Sequence, residues 1–178
     1  MSSSESSAPT RRLMLLAALG LAAIAGGCLR PLYADSTTST VGGSVKDALR
    51  GVEIADIKGL VGHYLRNELV FNLDGGGAPD ATKRLKLEAS VNESLEVVTV
   101  DYANGRADSA ILVATATWKV TDSATGKVVS SGLNQIRAPY DRSEQRFATV
   151  RAARDAQVRA GKSLAELIRG QLAADLTS

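Results

Sequence analysis

This chain of 178 residues has only one cysteine and one histidine. A lone thiol cannot build a disulfide framework, and one Cys with one His cannot complete a zinc site. An excess of charge of one sign is missing too: the formal net charge is +2, too little for a nucleic-acid binder held by phosphate neutralisation. No apolar run is long enough to cross a bilayer. The longest, residues 13–25, would reach roughly 20 Å as a helix against a hydrocarbon core of about 30 Å. The usual catalytic constellations are missing as well. His63 has no second imidazole and no G-x-S-x-G to serve. Glu93 and Glu96 have nothing in the sequence to set them opposite each other. The glycines at 75–77 are not followed by Gly-Lys-Ser/Thr, which excludes a phosphate loop. The expectation is a protein that is not an enzyme and holds no metal or cofactor.

What is present begins at the N-terminus. "MSSSESSAPT" is polar, Arg11 and Arg12 follow, and "LMLLAALGLAAIA" carries no charge. A basic flank, a short apolar run and then small residues form the pattern of a secretory signal peptide, here residues 1–27. Two arginines serve the general secretion route; the pair also resembles a twin-arginine signal, with Met14 and Leu16 off that pattern. The run ends in "IAGGC". This resembles the bacterial lipobox, with Ala25 where Leu is usual. It implies cleavage between Gly27 and Cys28 and diacylglycerol on the Cys28 thiol. That covalent anchor would remove Cys28 from catalysis and from metal binding. At about 0.8 kcal/mol per buried CH₂, two or three acyl chains hold a protein on a membrane, where one does not. Leu29 stands where Asp would signal retention in the inner membrane, so the outer membrane is the expected destination.

Residues 28–47 then read as a lipidated N-terminus and a flexible tether, rich in Ser, Thr and Gly, and residues 48–178 as one domain. With 44% apolar and 22% charged residues, the chain has the composition to form a core. In "GVEIADI", Val52, Ile54 and Ile57 suggest a short strand. From 57 to 73 the period becomes helical, with Ile57, Val61, Leu65, Leu69 and Leu73 recurring every four residues, until "DGGGAPD" stops it. Three long alternating runs follow: one through Leu85, Leu87, Ala89 and Val91; one through Leu112, Ala114, Ala116, Trp118 and Val120; and "VVSSGLNQIRAPYD". Asn104-Gly105 and "SATGK" mark the turns between them. Past Ser143 a helical stripe runs Phe147, Val150, Ala153, Ala156, Ala160, Leu164, Leu167, Ile168, Leu172, with Gly161 as a kink or a break. The fold class is α+β in the order β-α-β-β-β-α: a mostly antiparallel sheet with two helices packed on it. Leu65, Leu69 and Trp118 are expected between the first helix and the sheet. On the wet face, Arg84 and Lys86 point the same way, and Arg137 joins them if the third strand's register allows it. These three are the candidate phosphate-binding cluster.

Two stretches resemble a known family. "GCLRPLYA" is similar to the start of the mature LPS-assembly lipoproteins of the LptE family, alphaproteobacterial type, where Cys-Gly-Phe-Arg-Pro-Leu-Tyr is usual. Cys28, Arg30, Pro31, Leu32 and Tyr33 match, and the chain is one residue short there. The run "YDRSEQRFATVRAARDAQVRAGKSLAELIRGQL" resembles the family's carboxyl-terminal part through Tyr140, Phe147, Ala148, Arg154, Asp155 and Ala156. The resemblance implies a β/α domain, lipid-anchored at the periplasmic side of the outer membrane. It would partner the β-barrel LptD, support its folding, and help place lipopolysaccharide in the outer leaflet. Arg84, Lys86 and Arg137 would then meet the lipopolysaccharide phosphates. A different machine is the alternative, since auxiliary lipoproteins of lipid-transport ABC systems share the plan of anchor, tether and α/β domain.

Overall fold

Each long strand buries mainly one face, and that asymmetry generates the architecture. The computed structural model describes residues 37–75, 82–101 and 106–177. Its elements, in chain order, are α1 (Val45–Arg50), β1 (Val52–Ile54), α2 (Leu60–Asp74), β2 (Leu85–Asp101), β3 (Arg106–Asp122), β4 (Val128–Asp141) and α3 (Arg146–Asp175). The strands lie in the order β1-β2-β3-β4. β1 runs parallel to β2 and is joined to it through α2, as a parallel pair requires; β2, β3 and β4 form an antiparallel meander. The single α+β domain expected from the sequence is what is found, with a third, short helix in addition.

That extra helix has a readable cause. Ser44 caps it: its Oγ accepts the Asp47 N–H at 3.1 Å, and its hydroxyl donates to Asp47 Oδ2 at 2.7 Å. Val45 and Leu49 are its buried side. The segment before it is bound as well, for Thr38 bridges to Ser44 and Thr40 N–H donates to Leu176 O at 2.8 Å. From residue 37 onward, the stretch read as tether is therefore attached to the domain, which begins about ten residues earlier than the boundary at 48 suggests.

The helix-side core is contributed by alternate strand residues. Leu85 and Leu87 on β2, Ala114, Ala116, Trp118 and Val120 on β3, and Ala138 on β4 are buried against Leu65, Leu69, Leu164, Ile168 and Leu172 of the helices. The Trp118 Nε1–H donates to Asn134 Oδ1 at 2.7 Å, so this indole is buried without losing its hydrogen bond. α2 stops where expected. Gly75 takes a left-handed conformation (φ 68°) and donates to Phe71 O. Ile57 is buried but lies before the helix, which starts at Leu60.

Gly161 neither breaks nor ends α3, which runs through it uninterrupted. It lies against α2: a Cβ there would stand 2.7 Å from Tyr64 Cβ and 3.0 Å from Leu65 N. The two helices run parallel in near backbone contact at this point. The apolar stripe of α3 is buried only from Ala156 onward, and within that part Leu167 is still 43% exposed. Phe147 is 81% and Val150 61% exposed. The reason is length, since α2 begins level with Gln157 and leaves the first turns of α3 uncovered.

Three substitutions test this packing by urea unfolding. Gly161→Ala gains about 1 kcal/mol of helix propensity but must force α2 and α3 apart, and is expected to lose about 1–3 kcal/mol overall. Gly170→Ala, in the same helix with nothing within 4 Å of the new Cβ, is expected to gain up to about 1 kcal/mol. Leu65→Ala should cost about 2–5 kcal/mol. Equal effects of the two glycine variants would remove the close crossing from the account.

Candidate functional site

The pleat sends the other half of the strand residues to a face that no helix covers. On β2 these are Lys86, Glu88, Ser90, Asn92, Ser94 and Glu96; on β3, Ile111, Val113, Thr115, Thr117 and Lys119; on β4, Leu133, Gln135, Arg137 and Pro139. Six of these fifteen side chains are uncharged and polar, five are charged and four are apolar, and the Gln135 Nε2–H donates across the ladder to Thr115 Oγ1 at 3.1 Å. The charges on this face are paired. Glu88 lies opposite Lys119 in the register and contacts both Lys119 (3.1 Å) and Lys86 (3.0 Å). Glu96 takes both terminal nitrogens of Arg137, one of them at 3.0 Å, a bidentate pair reaching diagonally across β3.

These contacts move the titrations. Hydrogen bonds from Lys86 and Lys119 hold the Glu88 carboxyl below its ordinary value, and the bond to Glu88 raises Lys86. The hydrogen bonds from Arg137 lower Glu96, which in turn raises Arg137. At the β3–β4 turn, the Thr125 backbone N–H and hydroxyl, then the Ala124 N–H, lower Asp122.

The structure does not gather the three candidate cations. Arg84 precedes β2, and its Nη2 donates to Val41 O at 2.9 Å, in the loop ahead of α1. Lys86 is held by Glu88. Arg137 stands opposite Val113, which stands opposite Ser94. That puts it about 26 Å along the strand direction from Lys86, at ~3.3 Å per residue. Gly27 and Cys28, the proposed cleavage and lipidation site, lie outside the described residues, as does the Asn104-Gly105 turn.

Glu93 and Glu96, the two nearby carboxylates on β2, point to opposite faces. Glu93 turns to the helix side and ties three elements together. Its Oε1 accepts the Val61 N–H at the start of α2 (3.3 Å), and its Oε2 accepts Gln157 Nε2–H of α3 (3.1 Å). A carboxylate at a helix N-terminus also meets the favourable end of the dipole. His63 is exposed and shares a 3.0 Å hydrogen bond with Asn67. Among the described residues no three His, Cys, Asp or Glu side chains form a metal-binding group. What the arrangement offers is a long, narrow polar surface for contact.

No protein-family model and no curated protein sequence matches the chain. Its fold is that of a candidate lipoprotein from Caulobacter crescentus CB15. The two are 24% identical and superpose with a TM-score of 0.61 over 75% of this chain and 96% of the other. Looser matches are a minor lipoprotein from Acinetobacter baumannii (15% identity, TM-score 0.46, 70% of this chain and 89% of that one) and the rare lipoprotein B from Shewanella oneidensis (17%, 0.43, 67% and 92%).

The pairing on the open face is checked by carboxyl NMR. Glu96 should titrate below the ordinary glutamate range, and Arg137→Gln should return it there. Because the folded value is the lowered one, stability from this pair is complete above the unfolded glutamate value. It is lost as the pH falls through the lower, folded one. A Glu96 titration unchanged by Arg137→Gln would mean that the two side chains are not joined in solution.

Proposed function

We propose that this chain is a lipid-anchored protein of the outer membrane, non-catalytic, which partners a large β-barrel of the LptD kind in placing lipopolysaccharide in the outer leaflet. The observation that carries the reading is the polar, charge-paired open face of the sheet. The lumen of an outer-membrane barrel is polar, and the largest barrels are occupied by a plug. A domain seated there needs a rigid surface that satisfies polar groups without presenting unpaired charge, and the faces of β2, β3 and β4 have that character. Support for the anchor is the apolar run ending at Gly27-Cys28, together with a fold shared with a candidate lipoprotein. In this reading Arg84, Lys86 and Arg137 do not act together on a lipid phosphate, because each is already engaged by a different partner.

The test is affinity purification of the tagged chain from solubilised outer membrane, with mass spectrometry of the protein itself. The expected results are loss of residues 1–27, an acylated Cys28, and a β-barrel of large size in the eluate. Thr115→Arg with Thr117→Arg, which places two unpaired charges on the open face, should lose the barrel while the thermal midpoint stays within a few degrees. A free Cys28 thiol would overturn the anchor. An inner-membrane transport complex in the eluate would overturn the partner and favour the ABC-type assignment.

A further inference from the structure

β1 pairs with β2 only at residues 85–87, so most of β2 has no neighbouring strand on that side. Ladder parity identifies the backbone groups left over. Leu85 N–H donates to Gly51 O, and Leu87 O accepts from Ala55 N–H. The odd residues of β2 therefore turn their backbone groups outward, and the even ones turn theirs toward β3. Residues 55–59 then carry the chain from the level of Leu87 to the start of α2, where Val61 N–H meets the Glu93 side chain. Beyond Glu93, no described residue takes up the outward N–H and C=O of Leu95 and Val97. The ladder is bulged directly after Val97, which closes the open stretch.

The same two residues are uncovered above the sheet. Leu95 and Val97 point to the helix side, yet each is 51% exposed. α3 alone extends over this end. At 3.6 residues per turn, Phe147, Val150, Arg154, Gln157 and Gly161 fall on one side of that helix. The last three are engaged inward: Arg154 Nε donates to Tyr64 OH at 2.8 Å, Gln157 meets Glu93, and Gly161 abuts Tyr64. Phe147 and Val150 continue this side past the first residue of α2. α2 leaves this end of the layer open, a notch beside the free strand edge at which Leu95 and Val97 of β2 and Phe147 and Val150 of α3 are all exposed.

The edge selects the occupant. An apolar notch alone would accept many greasy groups, but paired outward donors and acceptors ask for an extended backbone about 4.8 Å away, with a side chain entering the notch at every second residue. The charge of the occupant follows from α3. Arg146 and Arg151 flank the apolar pair, are exposed, and form no ion pair among the described residues. We propose that residues 93–97 of β2 accept an extended segment of a partner protein as an added strand. Its alternate apolar side chains fill the notch, and acidic residues beside them meet Arg146 and Arg151. This stands apart from the barrel reading, because the edge and the notch lie on the helix side of β2 and do not use the open face.

The test uses a phage-displayed heptapeptide library panned on the full-length chain in mild detergent, followed by synthesis of the enriched peptide. The expected consensus has apolar residues at alternate positions and Asp or Glu at its ends. Amide exchange should show the Leu95 and Val97 N–H groups slowed by the bound peptide. Val97→Pro removes an outward donor that β3 does not use, and should weaken binding about tenfold or more. Phe147→Asp, at an exposed position that folding does not need, should do the same and carries the test if the proline variant does not fold. Leu133→Ser, on the far edge, should bind as the parent does. The proposal fails if no alternating sequence is enriched, or if the enriched peptide binds both notch variants normally with folding confirmed by circular dichroism. It fails equally if phosphatidylglycerol vesicles displace the peptide while the Leu95 and Val97 amides show no protection, for the notch would then be a lipid surface.

Discussion

The near contact of two helices at Gly161 sets the spacing of everything on one side of the sheet. With no side chain there, α3 lies against the backbone of Tyr64 and Leu65, and the two helices together form one layer on the four-stranded sheet. Glu93 fixes the same junction from below, with one carboxylate oxygen on each helix. Below it, Gly132 leaves room for Trp118 and Gln171 to meet over β4; a Cβ there would stand 2.9 Å from both. Two glycines and one carboxylate thus help position the 25 buried apolar residues of the core, 18 of them larger than alanine, which would otherwise have several ways to interdigitate.

How much of this was legible depended on the range of the interaction involved. The strand pattern from Leu85 to Val91 and from Leu112 to Val120 reads directly, because burial of one face imprints a period of two on the sequence. The end of α2 at Gly75 reads for a similar local reason. α1 could have been found from Ser44 and Asp47, whose spacing is a capping signal, but six residues are too few for a periodicity to stand out. The exposure of Phe147 and Val150 was not legible. Helical spacing tells which side a residue faces, but not whether the neighbouring helix is long enough to cover it. The candidate cluster shows the same limit. Alternation places Lys86 and Arg137 on one face, but the height of each along the ladder is set by where the turns fall, and a shift of two residues preserves every alternation.

The two faces of the sheet divide the physical work. The helix side holds most of the buried apolar area and the strength of the fold. The open side adds little to stability: its ion pairs are exposed and screened, and such pairs are individually weak. What they provide is neutrality. With Lys86, Lys119 and Arg137 set against Glu88 and Glu96, the face offers a partner many hydrogen-bonding groups and almost no net field. Association there depends on shape more than on long-range attraction.

The attachment of residues 37–44 has a mechanical side. A pull on the chain from its N-terminal end would enter the fold at the Thr38–Ser44 bridge and at the Thr40 bond to Leu176. Those contacts lie in sequence along the strand of force, so they would open one at a time, as a zip does, and not all at once in shear. Val41, half-buried against the core and held by Arg84, would resist next, and Val45 is the first wholly buried residue to meet the load. Peeling up to that point frees about 26–29 Å of chain at ~3.3–3.6 Å per residue and leaves the sheet and the two long helices intact. Only a few hydrogen bonds therefore separate a shorter leading segment from a longer one.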